Sequence, residues 1–224
     1  MTSELDVHKR YLQIAFNYDI EMVNKILPAI PRNDRIMIEA GTPFIKRYGT
    51  EGIRSIARQW KNHLVADLKV IDGAVMEVTE AANAGATAAT IIGNASTETL
   101  NLFISECKNH GIISMIDMIN VDKPMASLRG LTTPPGVVVL HRGRDEESRF
   151  GAIIQYKHIS KIKSKYDVLI GAAGGVDLRE ARSAIFNGAN IVVANIVRQG
   201  DPWVGIPAGP DVGKIATEFL ETID

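Results

Sequence analysis

Apolar residues along the chain gather into short runs rich in β-branched side chains, and the runs recur at nearly even intervals: "YLQIAF", "RIMIEA", "HLVADL", "ATAATIIG", "IISMIDM", "GVVVLH", "DVLIGA" and "NIVVAN". The runs read as strands. Between them lie segments with helical spacing, among them "IEMVNKILPAI", "AVMEVTEAANAG", "TETLNLFISECKNHG" and "LREARSAIFNG", several closing on the glycine that often ends a helix. Each unit of about 23 to 30 residues holds one strand, one helix and two loops, and strands fed by crossover helices run parallel. An open doubly wound sheet uses the same alternation. Eight even units ending in a helix, "DVGKIATEFLETI", favour closure into a single α/β (β/α)8 TIM barrel. No linker, low-complexity stretch or composition break divides residues 1–224, so one domain is expected.

Composition narrows the function classes. Of the 224 residues 46% are apolar and 23% charged, a balance that buries a substantial core. The formal charge of −1 is spread without a basic block, which argues against nucleic acid and against an anionic membrane surface. Cys107 is the one cysteine, so an internal disulfide and a multi-cysteine metal site are both ruled out, and it reads as a helix residue at the core margin. The opening "MTSELDVHKRYLQ" lacks an apolar signal-peptide region, and no stretch approaches the ~18 apolar residues of a membrane span. A cytoplasmic location is expected.

Reactive groups of such a barrel sit at the carboxyl ends of the strands. Asn17 ends the first run, Glu39 the second, Asp67 and Lys69 the third, Asp117 and Asn120 the fifth, and His141, Arg142 and Arg144 the sixth. Gly174 and Gly175 follow the seventh, and Asn195 ends the eighth. The strand period of two points Asp67 and Lys69 the same way and leaves Asp72 beyond the strand on a turn. Taken singly, Asp67 with Lys69 reads equally as a structural ion pair, Asp72 as a helix N-cap and His141 as a satisfied core histidine. Together at one rim they point to a site, because inward charges are costly to desolvate unless they are paired or bind a ligand.

Glu39 and Asp67 are hard oxygen donors on neighbouring strands and suit Mg2+. Lys69, beside acids, stays an ammonium fit to stabilise an oxyanion, and His141 is the group best suited to move a proton near neutrality. Gly174 and Gly175, just ahead of a helix, allow backbone N–H groups to approach a phosphate; a plain turn accounts for the pair as well.

"DLKVIDG" has the DxKxxD pattern of the orotidine 5′-monophosphate decarboxylase suprafamily, and the likeness runs from "LQIAFN" to "IVVAN". "IEAGTPFIK", "MIDMINVDKP" and "VVLHRGRDEE" resemble the second, fifth and sixth strand motifs of its 3-hexulose-6-phosphate synthase branch. The resemblance implies a carbon–carbon lyase of the aldehyde-lyase type. It would bind Mg2+ through Glu39 and Asp67 and condense ribulose 5-phosphate with formaldehyde, or run the reverse, through an enediolate. Asp67, Lys69, Asp72 and His141 would be catalytic, and Asn17, Arg144, Gly174, Gly175 and Asn195 would contact the sugar phosphate. It also implies a homodimer with shared active sites, Asp72 acting in the partner's. Glu39 stands where the suprafamily's metal-free decarboxylase carries a lysine.

Three features depart from the branch. Asn17 replaces the usual aspartate, Ala194 and Asn195 replace the strand-eight phosphate motif and shift the phosphate toward Gly174, Gly175 and Arg198, and Arg144 resembles the sister 3-keto-L-gulonate 6-phosphate decarboxylase. That decarboxylase, and a non-catalytic barrel that binds a sugar phosphate, are the alternatives. Trp203 is expected to pack the loop after the last strand.

Overall fold

The computed structural model describes residues 4–147 and 153–224. Each of the eight apolar runs forms a strand: β1 (Tyr11–Phe16), β2 (Ile36–Ala40), β3 (Leu64–Val70), β4 (Ala88–Ile92), β5 (Ile113–Asp117), β6 (Val137–His141), β7 (Leu169–Ala173) and β8 (Ile191–Val197). Neighbours pair in parallel in chain order, and β8 returns to β1 with Gln13 opposite Val193 and Ala15 opposite Asn195. The sheet is closed. A two-residue strand, β9 (Ile206–Pro207), adds to β8 outside the ring, a feature too short to announce itself in the hydrophobic pattern.

Both faces of each strand are covered, which is why the runs are nearly continuously apolar. One face meets the helices in a large cluster that includes Leu12, Ile14, Ile38, Phe44, Phe103 and Phe219. The other face fills the lower barrel with Tyr11, Met37, Val65, Met115, Val137 and Ile191. Above that plug the inward positions turn polar, from Gln13 and Thr90 at mid-strand to Glu39, Asp67, Asp117 and His141 toward the carboxyl ends.

The helices are α1 (Ile20–Ile26), α2 (Thr42–Gln59), α3 (Ala74–Asn83), α4 (Thr97–Asn109), α5 (Pro124–Arg129), α6 (Ile159–Lys163), α7 (Leu178–Phe186) and α8 (Val212–Thr222). Asp19, Ser96 and Asp177 cap α1, α4 and α7 by accepting the N–H of Met22, Thr99 and Glu180, satisfying donors that a helix start leaves open. α1 is shorter than its sequence segment, because Pro28 cannot donate and the chain tightens into a 3-10 turn at Leu27–Ala29. Cys107 is fully buried against α4's neighbours rather than at the core margin, and burial pushes its thiol far up.

The first and last described residues of the chain, Glu4 and Asp224, lie at the opposite end of the barrel from the polar rim. Leu5 packs beneath the apolar plug, and Asp224 pairs with Arg35, the residue just ahead of β2, at 2.9 Å. Among the described residues no helix is long and apolar enough to cross a membrane.

Candidate active site

The polar rim encloses a cavity of about 300 Å3, at the lower end of the size range of small-molecule sites. Glu39, Asp67, Lys69, Asp117, His141 and Arg144 line it, with Asn17 and Asn195 on one wall and Gly174 near the mouth.

Its centre is an alternating set of charges. Lys69 Nζ donates to Asp117 Oδ2 at 2.6 Å and to Asp67 Oδ1 at 3.0 Å. His141 Nδ1 lies 2.8 Å from Asp117 Oδ2 and 3.0 Å from Oδ1. Asp117 also accepts the Ile119 N–H at 2.9 Å, so this carboxylate, only 2% exposed, is fully engaged. Burial alone would raise its pKa; the His141 and Lys69 contacts overcome that and hold it well below the usual carboxylate range. Burial would likewise discharge Lys69, but Asp67 and Asp117 raise it above its ordinary value, and it stays an ammonium. His141 is pulled down by burial and lifted further by Asp117, for a net rise. Because an ionised Asp117 only accepts, Nδ1 carries the hydrogen and Nε2 is left to exchange a proton.

Asp67 is held from both sides. Thr42 Oγ1 donates to its Oδ2 at 2.7 Å and Thr90 Oγ1 to its Oδ1 at 2.8 Å. Glu39 is different, since its hydrogen-bond partner is the amide of Gln13, Nε2 to Oε2 at 2.5 Å, and among the described residues no cation forms an ion pair with it. Burial and the neighbouring Asp67 charge push Glu39 up to about 7, against the lowering effect of Gln13. Two hard carboxylates, one of them short of compensating charge, are a donor set that suits a divalent ion such as Mg2+. Among the described residues no group of three or more His, Cys, Asp or Glu converges as a ligand set. An ion held by these two carboxylates alone would need water and substrate oxygens to complete its shell.

The remaining candidates fall in three places. Asn17 and Asn195, the two amides at the β1–β8 seam, bond to each other, Nδ2 to Oδ1 at 2.9 Å. Gly174 and Gly175 adopt φ of +102° and +63°, and a Cβ on Gly174 would lie 2.0 Å from the Arg142 carbonyl oxygen, so only glycine fits there. Gly174 reaches the cavity, while Gly175 lies behind it, where a Cβ would press on the Arg142 guanidinium and on Glu147. Arg144 stacks over Trp203 at 5.4 Å, joining the loops after β6 and β8 across the mouth. Arg198 is turned away, paired with Asp19 and lying over the Tyr18 ring.

Asp72 is not brought into this cavity. It is exposed on the turn after β3 and accepts the Gly73 N–H at 2.8 Å; the N-cap of α3 is Gly73 itself, at φ +69°. Beside it Ile71, Val75 and Met76 stand 54%, 49% and 66% exposed. Asp117 is the hub of the charge network, whereas its position ending "MID" places it at the rim without assigning it a role; its inward parity matches that of Asp67 and is the available signal. Gln13, Thr42 and Thr90 carry no such signal beyond being polar in or beside apolar runs.

Comparisons with known proteins agree with the fold. Residues 5–203 match the model of the orotidine 5′-phosphate decarboxylase / HUMPS family. A relative named bifunctional enzyme Fae/Hps from Methanothrix thermoacetophila is 40% identical over 215 residues, covering 95% of this chain and 52% of the relative. Its namesake from Methanosphaerula palustris is 36% identical over 218 residues, with 95% and 52% covered. The chain thus spans about half the length of the curated relatives it matches. Among solved structures, 3-hexulose-6-phosphate synthase from Salmonella typhimurium superposes with a TM-score of 0.80 at 24% identity, covering 95% of this chain and 98% of that one. KGPDC from Streptococcus mutans gives 0.76 at 16% identity, covering 96% and 98%. At these identities the structural likeness is one of fold.

Proposed function

The chain belongs to the orotidine 5′-phosphate decarboxylase / HUMPS family, and from that premise we propose that it is a Mg2+-dependent aldolase of the 3-hexulose-6-phosphate synthase type. It would join ribulose 5-phosphate and formaldehyde into D-arabino-hex-3-ulose 6-phosphate, or cleave that product. The carrying observation is Lys69 fixed between Asp67 and Asp117 with His141 on the same Asp117, beside an underneutralised Glu39.

In this reading His141 Nε2 takes the proton from C1 of ribulose 5-phosphate, and the electron pair of the broken C–H bond moves onto the carbonyl oxygen as an enediolate. Lys69 faces the developing negative charge and needs no reorganisation to do so, because two acids already hold it in place. C1 then forms a bond to the formaldehyde carbon, and the formaldehyde oxygen takes up a proton, which His141 returns. A bound Mg2+ ion, held by Glu39 and Asp67, would supply positive charge next to the two adjacent substrate oxygens. Gly174 and the Arg144 side chain at the mouth would receive the phosphate end, and the Asn17–Asn195 pair would offer neutral hydrogen bonds to hydroxyls. Names of relatives support the reading: "Hps" in the bifunctional proteins and the synthase among the structures. The exposed apolar strip at Ile71, Val75 and Met76 supports a homodimer in which Asp72 reaches the other subunit's site.

Arg144 at the mouth favours one rival, 3-keto-L-gulonate 6-phosphate decarboxylase, whose structure from Vibrio cholerae superposes with a TM-score of 0.72 at 20% identity. The deciding experiment mixes the protein with ribulose 5-phosphate, Mg2+ and formaldehyde and follows formaldehyde loss. Inactivity there, together with CO2 release from 3-keto-L-gulonate 6-phosphate, reverses the ranking. Binding of sugar phosphates with no turnover in either assay selects a non-catalytic barrel.

A further inference from the structure

Lys69 reaches its place by an irregular route. β3 and β4 pair Ala66 with Ala89 and then Val70 with Ile91. Three residues, Asp67, Leu68 and Lys69, therefore face a single one, Thr90. Such a bulge interrupts the ladder and leaves backbone groups without their regular partners. Within it Lys69 adopts φ +50°, the left-handed region that a residue with a long side chain rarely enters and keeps only when its surroundings enforce it.

Thr90 bonds to both sides of the bulge. Its hydroxyl oxygen accepts the Lys69 N–H at 3.0 Å, and its hydrogen goes to Asp67 Oδ1 at 2.8 Å. Asp67 Oδ1 also accepts from Lys69 Nζ at 3.0 Å. One hydroxyl, on a residue only 4% exposed, thus ties the backbone of Lys69 to the carboxylate that receives the same residue's ammonium. A hydroxyl has one hydrogen to donate and lone pairs to accept with, and both capacities are used in the required directions.

We propose that Thr90 is the positioning residue that holds the Lys69 backbone in its left-handed conformation and thereby sets the ammonium between Asp67 and Asp117. The consequence for turnover rests on the aldolase reading above; the pin itself does not. Valine at this position keeps the shape and removes both bonds, stranding a buried N–H. Lys69 then loses the backbone bond that favours its positive φ, and its ammonium, still drawn by Asp67 and Asp117, is no longer fixed in position against the reacting atoms.

The test compares Thr90→Val, Thr90→Ala and Thr90→Ser with the native chain by amide hydrogen exchange at Lys69 and by steady-state kinetics, with circular dichroism to confirm folding. Serine should preserve both the Lys69 protection and kcat to within about threefold. Alanine and valine should lose the protection and lower kcat by about 10- to 100-fold, the range expected of a small misplacement, with KM for ribulose 5-phosphate little changed. Should valine fail to fold, alanine, which leaves room for water, carries the comparison. Unchanged Lys69 protection in the folded variants overturns the pin, as does a raised KM with native kcat, which would make Thr90 a substrate contact. A native chain without turnover, whose Lys69 protection still vanishes on Thr90→Ala, sinks the aldolase reading and leaves the pin standing.

Discussion

Glutamine in place of Glu39 probes the least compensated charge in the cavity. In the metal-free protein, burial and the Asp67 charge lift Glu39 from its ordinary 4.5 to about 7. A pKa unit is worth about 1.4 kcal/mol, so the ionised carboxylate disfavours the folded state by at most about 3.5 kcal/mol above neutrality. Because the folded value is the higher one, the favourable contribution belongs to the protonated acid; it is complete below 4.5 and is lost as pH rises through about 7. Glutamine carries no charge at any pH. In EDTA, Glu39→Gln should therefore match the native protein near pH ~4 and exceed its stability near pH ~8, by up to about 3.5 kcal/mol. Mg2+ should reverse that order. The native protein gains RT ln(1 + [L]/Kd) from ion binding, while the variant has lost one of two acid ligands and gains less. Urea unfolding across this pH range, with EDTA or with Mg2+, measures both effects. Parallel pH curves for the two proteins, or an equal gain from Mg2+ in both, would refute the reasoning.

Other expectations follow from the same network. Lys69→Ala should reduce turnover by ~10²-fold or more, the usual loss for a preorganised electrostatic group, and full activity in a folded variant would remove Lys69 from the mechanism. Asp117→Asn takes from His141 the charge that does most to hold it above its ordinary value, leaving burial and the Lys69 charge opposed only by the smaller effect of Asp67. The ionisation attributed to His141 in the pH profile of kcat/KM should move to lower pH; a fixed limb would show that another group titrates there. If Asp72 acts across a dimer, inactive Lys69→Ala and Asp72→Asn subunits mixed after reversible dissociation should regain activity, because each mixed dimer contains one intact site, about a quarter of all sites at equal mixing. Absence of any recovery in verified mixed dimers would confine Asp72 to its own subunit or to no role.

The barrel was readable in the sequence because every strand is covered on both faces, so all eight runs stand out as apolar blocks and parity then assigns the inward residues. Glu39, Asp67, Lys69 and His141, which that logic turns inward, all line the cavity. It did not foresee the bulge at Asp67–Lys69, since register is a relation between two strands and the β3 segment alone carries no mark of it. The hub role of Asp117 escaped for a similar reason: parity shows that it faces inward, but only the closed ring brings β3 and β6 residues to the same carboxylate. Arg198 illustrates the opposite error, a cation suitably near in sequence yet engaged by Asp19 and Tyr18 outside the cavity. The shortened α1 follows from Pro28, a signal present in the sequence and outweighed there by the apolar spacing around it.

With Leu5 tucked under the plug and Asp224 tethered to Arg35, the described chain is anchored at both of its ends to the closed floor of the barrel. A purification handle or a second polypeptide fused at either end would hang below the molecule, leaving substrate access unobstructed. Tagged and fused versions can therefore stand in for the bare chain in the assays above.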